Sequence, residues 1–419
     1  MVRKKTGRFR RAGRYLSAPA AVMLLALALS GCSGSLPETP DMGTASEENE
    51  RASEDVDTHG EAEDIGAVYG EICEQAVETG VTGSLDMMER IVGGLGERGY
   101  AAVDSENQVD MTRPEQIWDF CRAVDEKESA EAMVIVVTES GFRKFDLKTE
   151  GGRVNIVRGY YEYDLEGCLQ NRSTVQYQAD LWQYTEEGYL IFEGSYFSEE
   201  NYVFTLSDTS EQTALRVAPL DEKCREMNRT CLLPVGYEQN NIFLCNWSQE
   251  DYGDLDFYDI FDRFYPIYFN RPLPYTADKN LGVGAVYQIP EDLFETVVGT
   301  YFPVDIGTLR ARTIYVPETA AYEYRPRGFF ETEYAEIPCP EVVDCTENQD
   351  GTVALLVNGV YPHGNTSRAF THRVVIRPLK EGGFQYISNQ MVFSDSEDTW
   401  WHSDRLTQEE WREVYRGDF

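Results

Sequence analysis

A change from a helical to an extended sequence pattern falls in residues 133–147, which read MVIVVTESGFRKFDL. Two apolar runs, Met133–Thr138 and Phe142–Leu147, flank the residues ESG at 139–141, and a short turn between two such runs predicts a β-hairpin. Further along, Val175–Leu181 alternates apolar and polar side chains, as in a strand with one buried face. This part of the chain therefore predicts an antiparallel sheet.

Helical patterns precede the sheet. Apolar side chains recur at helical spacing from Val68 to Ala76, and Gly80 is a predicted stop. Ser84 is a predicted N-cap of a second helix, and residues 112–115, TRPE, predict a capping box at the start of a third. The first half is thus predicted as helices followed by an antiparallel sheet.

The second half repeats this order. Pro290 opens a predicted helix, and Thr407 with Glu410 predicts a capping box for a short C-terminal helix. Apolar runs between these helices predict strands at 309–316, 342–346, 352–360, 370–378 and 384–393.

These patterns predict an α+β protein with two domains, each built from N-terminal helices followed by an antiparallel β-sheet, in a cystatin-like or NTF2-like arrangement. The predicted first domain spans residues 65–247 and the second, with the C-terminal helix, spans 282–419. Residues 248–281 between them are predicted to hold an aromatic helix and a linker.

The aromatic helix lies in Leu255–Phe269. Phe261 and Phe264 share one face, whereas Tyr258 and Tyr265 lie round the side. Aromatic rings on two sides imply two neighbours, so we expect this helix to pack between the two domains and to end or kink at its proline. The alternatives are a helix wholly inside one domain and an exposed aromatic patch that binds a ligand.

Acidic residues accompany these aromatic side chains, at Asp251, Asp254, Asp256, Asp259 and Asp262. Their spacing departs from the one-three-five ladder and the glycine of an EF-hand calcium loop. Acids also favour a helix N-terminus, and Ser248 with Asp251 is a predicted cap. The cap is favoured over calcium, and no metal site is predicted.

The N-terminus predicts an export signal. A basic stretch precedes the apolar run Ala18–Leu29, which is too short to span a bilayer and matches a signal-peptide core over residues 1–31. The run ends in Leu29-Ser30-Gly31-Cys32, which resembles the lipobox of bacterial lipoproteins, and Cys32 is the predicted lipidation site. Residues 32–64 are strongly acidic and predict a disordered tether. The predicted location is the outer face of the cell membrane, with the bilayer as a partner through acylated Cys32.

The overall charge argues against nucleic-acid binding. The chain has 37 Lys+Arg against 73 Asp+Glu and a formal net charge of −36. Such a surface repels phosphate backbones. Hydrophobic residues make up 42 % of the chain, which is enough for a large core and excludes disorder of the whole chain.

Motifs for catalysis and cofactors are weak. Residues 94–99 read GLGERG, but a helical pattern precedes this G-x-G-x-x-G, so we interpret it as a helix end and predict no cofactor. The cysteines lack zinc-site spacing, although Cys224 with Cys231 and Cys339 with Cys345 are close enough in sequence to bridge. The four histidines and many carboxylates allow accidental triads and pairs, so an enzyme is not favoured and no catalytic residue is assigned.

The lipobox, the acidic tether and two further segments, LPYTAD at 273–278 and FTHRVVIRP at 370–378, resemble an uncharacterised lipoprotein family of Gram-positive gut bacteria. The resemblance implies no activity and no catalytic motif. The expected function is a non-enzymatic envelope lipoprotein that binds a wall component, a peptide or another protein. The alternative is a cell-wall-active hydrolase or its accessory subunit. A transporter's solute-binding component is disfavoured because the parallel βαβ alternation is missing.

Overall fold

The computed structural model describes residues 58–80, 82–164, 167–331, 336–394 and 401–415. Its first part contains helices α1 (Thr58–Thr79) and α2 (Leu85–Glu97), strand β1 (Ala101–Asp104) and helix α3 (Pro114–Glu126). The strands β2 (Ala130–Val137), β3 (Gly141–Glu150), β4 (Arg153–Tyr163), β5 (Leu169–Tyr184), β6 (Tyr189–Tyr196) and β7 (Thr209–Arg216) follow, with the short helix α4 (Glu199–Thr205) between the last two. The α+β class and the order of helices before sheet are confirmed.

One seven-stranded sheet holds these strands in the order β1 to β7. β1 and β2 are parallel because α3 crosses over between them, and the remaining neighbours are antiparallel. Along β2, Val134 and Val136 contact the core beneath α3, whereas Ile135 and Val137 contact the core beneath α1 and α2. Helices on both faces explain why this strand is apolar from Ala132 to Val137.

The sheet curls until its first and last strands are linked by Asn107, in the loop after β1. The side-chain amide of Asn107 donates to the carbonyl of Ala214 at 3.1 Å and accepts from the backbone N–H of Arg216 at 2.7 Å. A side chain thus takes the place of a strand beside β7. Asn107 has a φ of 54°, a left-handed conformation that asparagine tolerates better than most residues.

The second part begins with helix α5 (Glu222–Met227), a π-helical turn (Asn228–Leu232), strand β8 (Trp247–Ser248) and helix α6 (Phe257–Phe269). Strand β9 (Tyr287–Pro290), helices α7 (Glu291–Tyr301) and α8 (Ile306–Ala311), and strands β10 (Tyr315–Val316) and β11 (Ala321–Tyr324) come next. The last elements are β12 (Cys339–Glu347), β13 (Val353–Tyr361), β14 (Thr366–Pro378), β15 (Phe384–Ser394) and helix α9 (Gln408–Val414). The strands form a three-stranded sheet, β10-β11-β9, and a five-stranded antiparallel sheet, β12-β13-β14-β15-β8.

Helix α6 lies inside the second part. Phe261 stacks on Phe294 of α7 at 4.9 Å between ring centroids, and Phe264 contacts Tyr386 of β15 at 5.7 Å. Its buried side chains belong to the same hydrophobic core as those of the three-stranded and five-stranded sheets. The expected position between two domains is therefore wrong, and the alternative of a helix inside one packing unit holds. The helix also continues through Pro266 to Phe269, so the proline does not end it.

Several predicted boundaries differ from the structure. The strand predicted at 309–316 is wrong over its first residues, since Asp305 accepts from the N–H of Thr308 and caps α8 through Ala311. The capping box at 112–115 is absent because the Thr112 hydroxyl donates to the carbonyl of Tyr100. By contrast, the caps at Ser84 and at Thr407 with Glu410 are confirmed.

The limits of the predicted tether and first domain also shift. Helix α1 begins at Thr58, within the predicted tether 32–64, because Ala62 is buried and Glu61 pairs with Lys144 at 2.8 Å. Buried residues between Cys224 and Trp247 belong to the hydrophobic core of the second part, and β8 in this segment pairs with β15. The described residues from Thr58 onward form one compact unit. Among these residues, no helix is both long enough and apolar enough to cross a bilayer.

Candidate functional site

A cavity of about 370 Å³ lies where the first sheet meets the edge of the five-stranded sheet. We call it the inter-sheet cavity, and its size is in the range of small-molecule sites. Its walls include Ser105–Gln108 after β1, Thr213–Leu215 of β7, Arg225 and Asn228 of α5 and the π-helical turn, and Cys339–Val342 of β12.

A buried ion pair joins the two sheets in the wall of this cavity. Glu341 of β12 accepts from the Tyr189 hydroxyl at 2.7 Å and from the Arg216 guanidinium at 2.8 Å, so each of its carboxylate oxygens has a partner. Burial raises the pKa of Glu341, although Arg216 opposes this shift. Breaking such a pair on one side leaves a buried charge and typically costs about 3–5 kcal/mol.

The remaining charges around the cavity are also balanced. Arg225 donates to the Asp110 carboxylate and, at 2.8 Å, to the carbonyl of Asn107. At the exposed rim, Arg143 and Glu106 carry opposite charges. The lining therefore presents no strong net charge to a ligand, despite the acidity of the whole chain.

Two lining residues each hold a buried polar atom that lacks a hydrogen-bond partner among the described residues. These atoms are the hydroxyl oxygen of Thr213, which is 8 % exposed, and the side-chain carbonyl oxygen of Asn228, which is 4 % exposed. An unsatisfied buried polar group costs about 1–3 kcal/mol. Asn228 also opens the π-helical turn, a local irregularity that recurs at functional sites. A ligand or water with hydrogen-bond donors would relieve this cost.

Two groups of the lining that could take part in catalysis, Glu341 and Cys339, are held in unreactive forms. Glu341 is held in an ion pair, and burial raises the pKa of the Cys339 thiol, which disfavours its reactive thiolate form. No histidine is among the lining residues of the described chain. The described lining therefore offers no histidine base to a nucleophile, which is one of the ways in which covalent catalysis activates a nucleophile.

The acidic run of α6 forms a second polar cluster. Asp259 is fully buried and accepts from Arg327 at 3.0 Å, from Arg405 at 2.7 Å and from His402 at 3.0 Å. Burial alone would raise the pKa of Asp259, but Arg405, His402 and Arg327 outweigh it and lower the pKa to about 2. These contacts hold the segment after residue 400 against α6.

The other acids of this run are likewise used within the fold. Asp256 caps α6 by accepting from the N–H groups of Tyr258 and Asp259, so the cap is Asp256 and not Ser248 with Asp251. Asp262 accepts from the Tyr324 hydroxyl and from Arg405. Among the residues that the structure describes, no group of three or more His, Cys, Asp or Glu side chains is arranged to hold a metal ion.

The other residues singled out by sequence have structural places. Gly94–Gly99 ends α2, as interpreted, and β1 follows it. His372 is fully buried, accepts from the Tyr237 hydroxyl at 2.9 Å and donates to the side-chain oxygen of Asn389 at 2.7 Å. Cys32 lies outside the described residues.

The two disulfides that sequence distance would allow are not formed. Cys224, Cys231, Cys339 and Cys345 are all free thiols. The structure instead packs Cys224 of α5 and Cys345 of β12 in the same core, close enough for each thiol to shift the pKa of the other.

Sequence reasoning missed Thr213, Asn228 and Glu341. They come from three distant segments, and no local motif marks any of them. What marks Thr213 and Asn228 is a buried side-chain oxygen without a hydrogen-bond partner among the described residues. This property can be recognised only once the surrounding structure is known.

The chain is similar to one known family. A family model described as a family of unknown function (DUF6070) matches residues 55–405, which is most of the chain. No curated protein and no solved structure matches. The expectation of an uncharacterised family is confirmed, while its lipoprotein character stays a prediction.

Proposed function

The chain belongs to DUF6070, a family of unknown function, and from its own residues we propose that it is a lipid-anchored protein of the bacterial envelope that binds a small neutral ligand in the inter-sheet cavity. The anchor is the acyl group on Cys32, and the folded part lies on the outer side of the membrane. The basic start, the short apolar run and the Leu29-Ser30-Gly31-Cys32 sequence support this location.

The observation that carries the binding role is a cavity of small-molecule size whose lining includes Thr213 and Asn228, two residues that each hold a buried side-chain oxygen without a hydrogen-bond partner among the described residues. The Asn228 oxygen can only accept, so the ligand must supply a hydrogen-bond donor. The Thr213 hydroxyl can donate or accept. Because the charges in the lining are balanced, the matching ligand is an uncharged molecule that carries hydroxyl and amide groups. Uncharged saccharide units of a cell wall have this chemistry.

Calorimetric titration of the full chain with N-acetylglucosamine and its short oligomers tests the proposal. We expect saturable binding, weakened about fivefold in Thr213→Val, since one hydrogen bond contributes about 1 kcal/mol. Thr149→Val is the matched control, because the Thr149 hydroxyl is also buried without a partner among the described residues but lies outside the cavity. Equal loss of affinity in both variants, or no binding of any of these saccharides, would contradict the proposal. Release of cleaved saccharide would favour the alternative of a wall-active hydrolase.

The anchor is tested separately. Cys32→Ala removes the predicted acyl acceptor, and we expect the variant to remain unprocessed or to leave the membrane fraction. Unchanged processing and membrane retention in fractionated cells would refute the lipid anchor without bearing on the cavity.

A further inference from the structure

Two free thiols meet where α5 packs against β12. Cys224 is buried at 4 % exposure, Cys345 is partly buried, and both pack in the same core, close enough for each thiol to shift the pKa of the other. An ion pair beside them fixes the same two elements, since the Lys223 ammonium lies 2.5 Å from the Glu347 carboxylate. The proximity of the thiols is therefore part of a defined packing of α5 on β12.

We propose that Cys224 and Cys345 form a disulfide when the protein meets a low-molecular-weight disulfide. The Cys345 thiolate attacks one sulfur of that oxidant, forms a mixed disulfide and expels one thiolate. The Cys224 thiolate then attacks the Cys345 sulfur and expels the second. The two protons released by the protein thiols end on the two expelled thiolates, so the protein loses two electrons and the oxidant gains them.

The pairings suggested by sequence distance alone do not fit this geometry. Cys339 and Cys345 lie in the same strand, and six residues of strand span roughly 20 Å. Cys224 and Cys231 are separated by two turns of continuous helix, or roughly 10 Å. A disulfide needs Cα atoms no more than about 7 Å apart, so both pairings require unfolding.

The bond would join two elements that contribute residues to the inter-sheet cavity. Helix α5 carries Arg225 and leads into Asn228, while β12 carries Glu341. Joining α5 to β12 therefore fixes two walls of the cavity to each other. It also closes a long loop of chain, which restricts the unfolded state and raises the melting temperature by several degrees.

The test treats the full chain with oxidised glutathione under native conditions, alkylates the remaining thiols and maps peptides by mass spectrometry. Trypsin cleaves after Arg225 and Arg229 and so separates Cys224 from Cys231. A glutamate-specific protease cleaves after Glu341 and separates Cys339 from Cys345. We expect one linked peptide that joins Cys224 to Cys345 and disappears on reduction.

The variants and the pH dependence sharpen this experiment. Cys339→Ser should keep the linked peptide, whereas Cys345→Ser should lose it. Burial raises the pKa of Cys345 to about 12, so the rate of bond formation should rise about tenfold for each pH unit between 7 and 9. Native wild-type protein in which both thiols remain alkylated or stay bound to glutathione, or a linked peptide from another pair, would overturn the proposal.

Discussion

The core position of α6 gives a quantitative expectation for Phe261→Ala. The Phe261 ring is fully buried, stacks on Phe294 at 4.9 Å and meets the edge of Tyr324 at 5.9 Å between ring centroids. Losing its burial costs about 2–3 kcal/mol. The surrounding rings belong to α7 and the three-stranded sheet and cannot all collapse into the space, so a cavity cost of about 24 cal/mol per Å³ is added. The expected loss in the free energy of unfolding is about 3–5 kcal/mol.

Urea denaturation at neutral pH, followed by tryptophan fluorescence, measures this loss. Tyr268→Ala on the same helix is the control, because Tyr268 is 42 % exposed and its loss should cost less than about 1 kcal/mol. The two variants change helix propensity similarly, so the difference between them reports burial. Equal and small losses in both would refute the placement of Phe261 in the core.

Three further predictions concern buried charge. Burial lowers the pKa of His372 to about 4, below its ordinary 6.5. The free energy of unfolding should therefore fall by about 3 kcal/mol as the pH drops from 6.5 to 4. Denaturation of His372→Gln at several pH values should not show this dependence on pH. The arginines bound to Asp259 outweigh its burial and lower its pKa to about 2. The ionised carboxylate therefore contributes about 2 kcal/mol to the free energy of unfolding above pH 4, and this contribution is lost as the pH falls to 2. The variant Asp259→Asn should be less stable than the wild type at pH 7 but should lack this acid-dependent loss. Lys144 is buried and pairs with Glu61, so deletion of residues 33–64 should lower the melting temperature, whereas a deletion that stops before Thr58 should not.

Local patterns predicted the elements that depend on neighbouring residues. Ser84 and the Thr407–Glu410 capping box could be identified because an N-cap needs only a few consecutive residues. The strands of the second half were found where apolar residues cluster, as at positions 353–357 of β13 and 374–376 of β14. The strand predicted at 309–316 failed because Asp305, four residues before Leu309, caps a helix there. The N-cap at Asp305 thus determined the local structure, although the composition of the following residues favoured a strand.

Tertiary choices could not be predicted from such patterns. The aromatic rings of α6 show that it has several neighbours, yet their spacing does not say whether those neighbours belong to one core or two. The candidate cavity was likewise invisible, since Thr213, Asn228 and Glu341 meet only after the sheet curls and the second part packs against it. Cys224 and Cys345 come into the same core for the same reason, and their closeness in space cannot be inferred from sequence distance.

The amide of Asn107 has a consequence for solubility. An outer strand with free N–H and C=O groups is a template on which a second molecule can extend the sheet, and chains held close together on a surface meet often enough to do so. Asn107 occupies the carbonyl of Ala214 and the N–H of Arg216, so this section of β7 offers no free ladder to another copy. The side chain of Asn107 thereby protects this part of β7 from pairing with a second molecule, although no further strand among the described residues covers it.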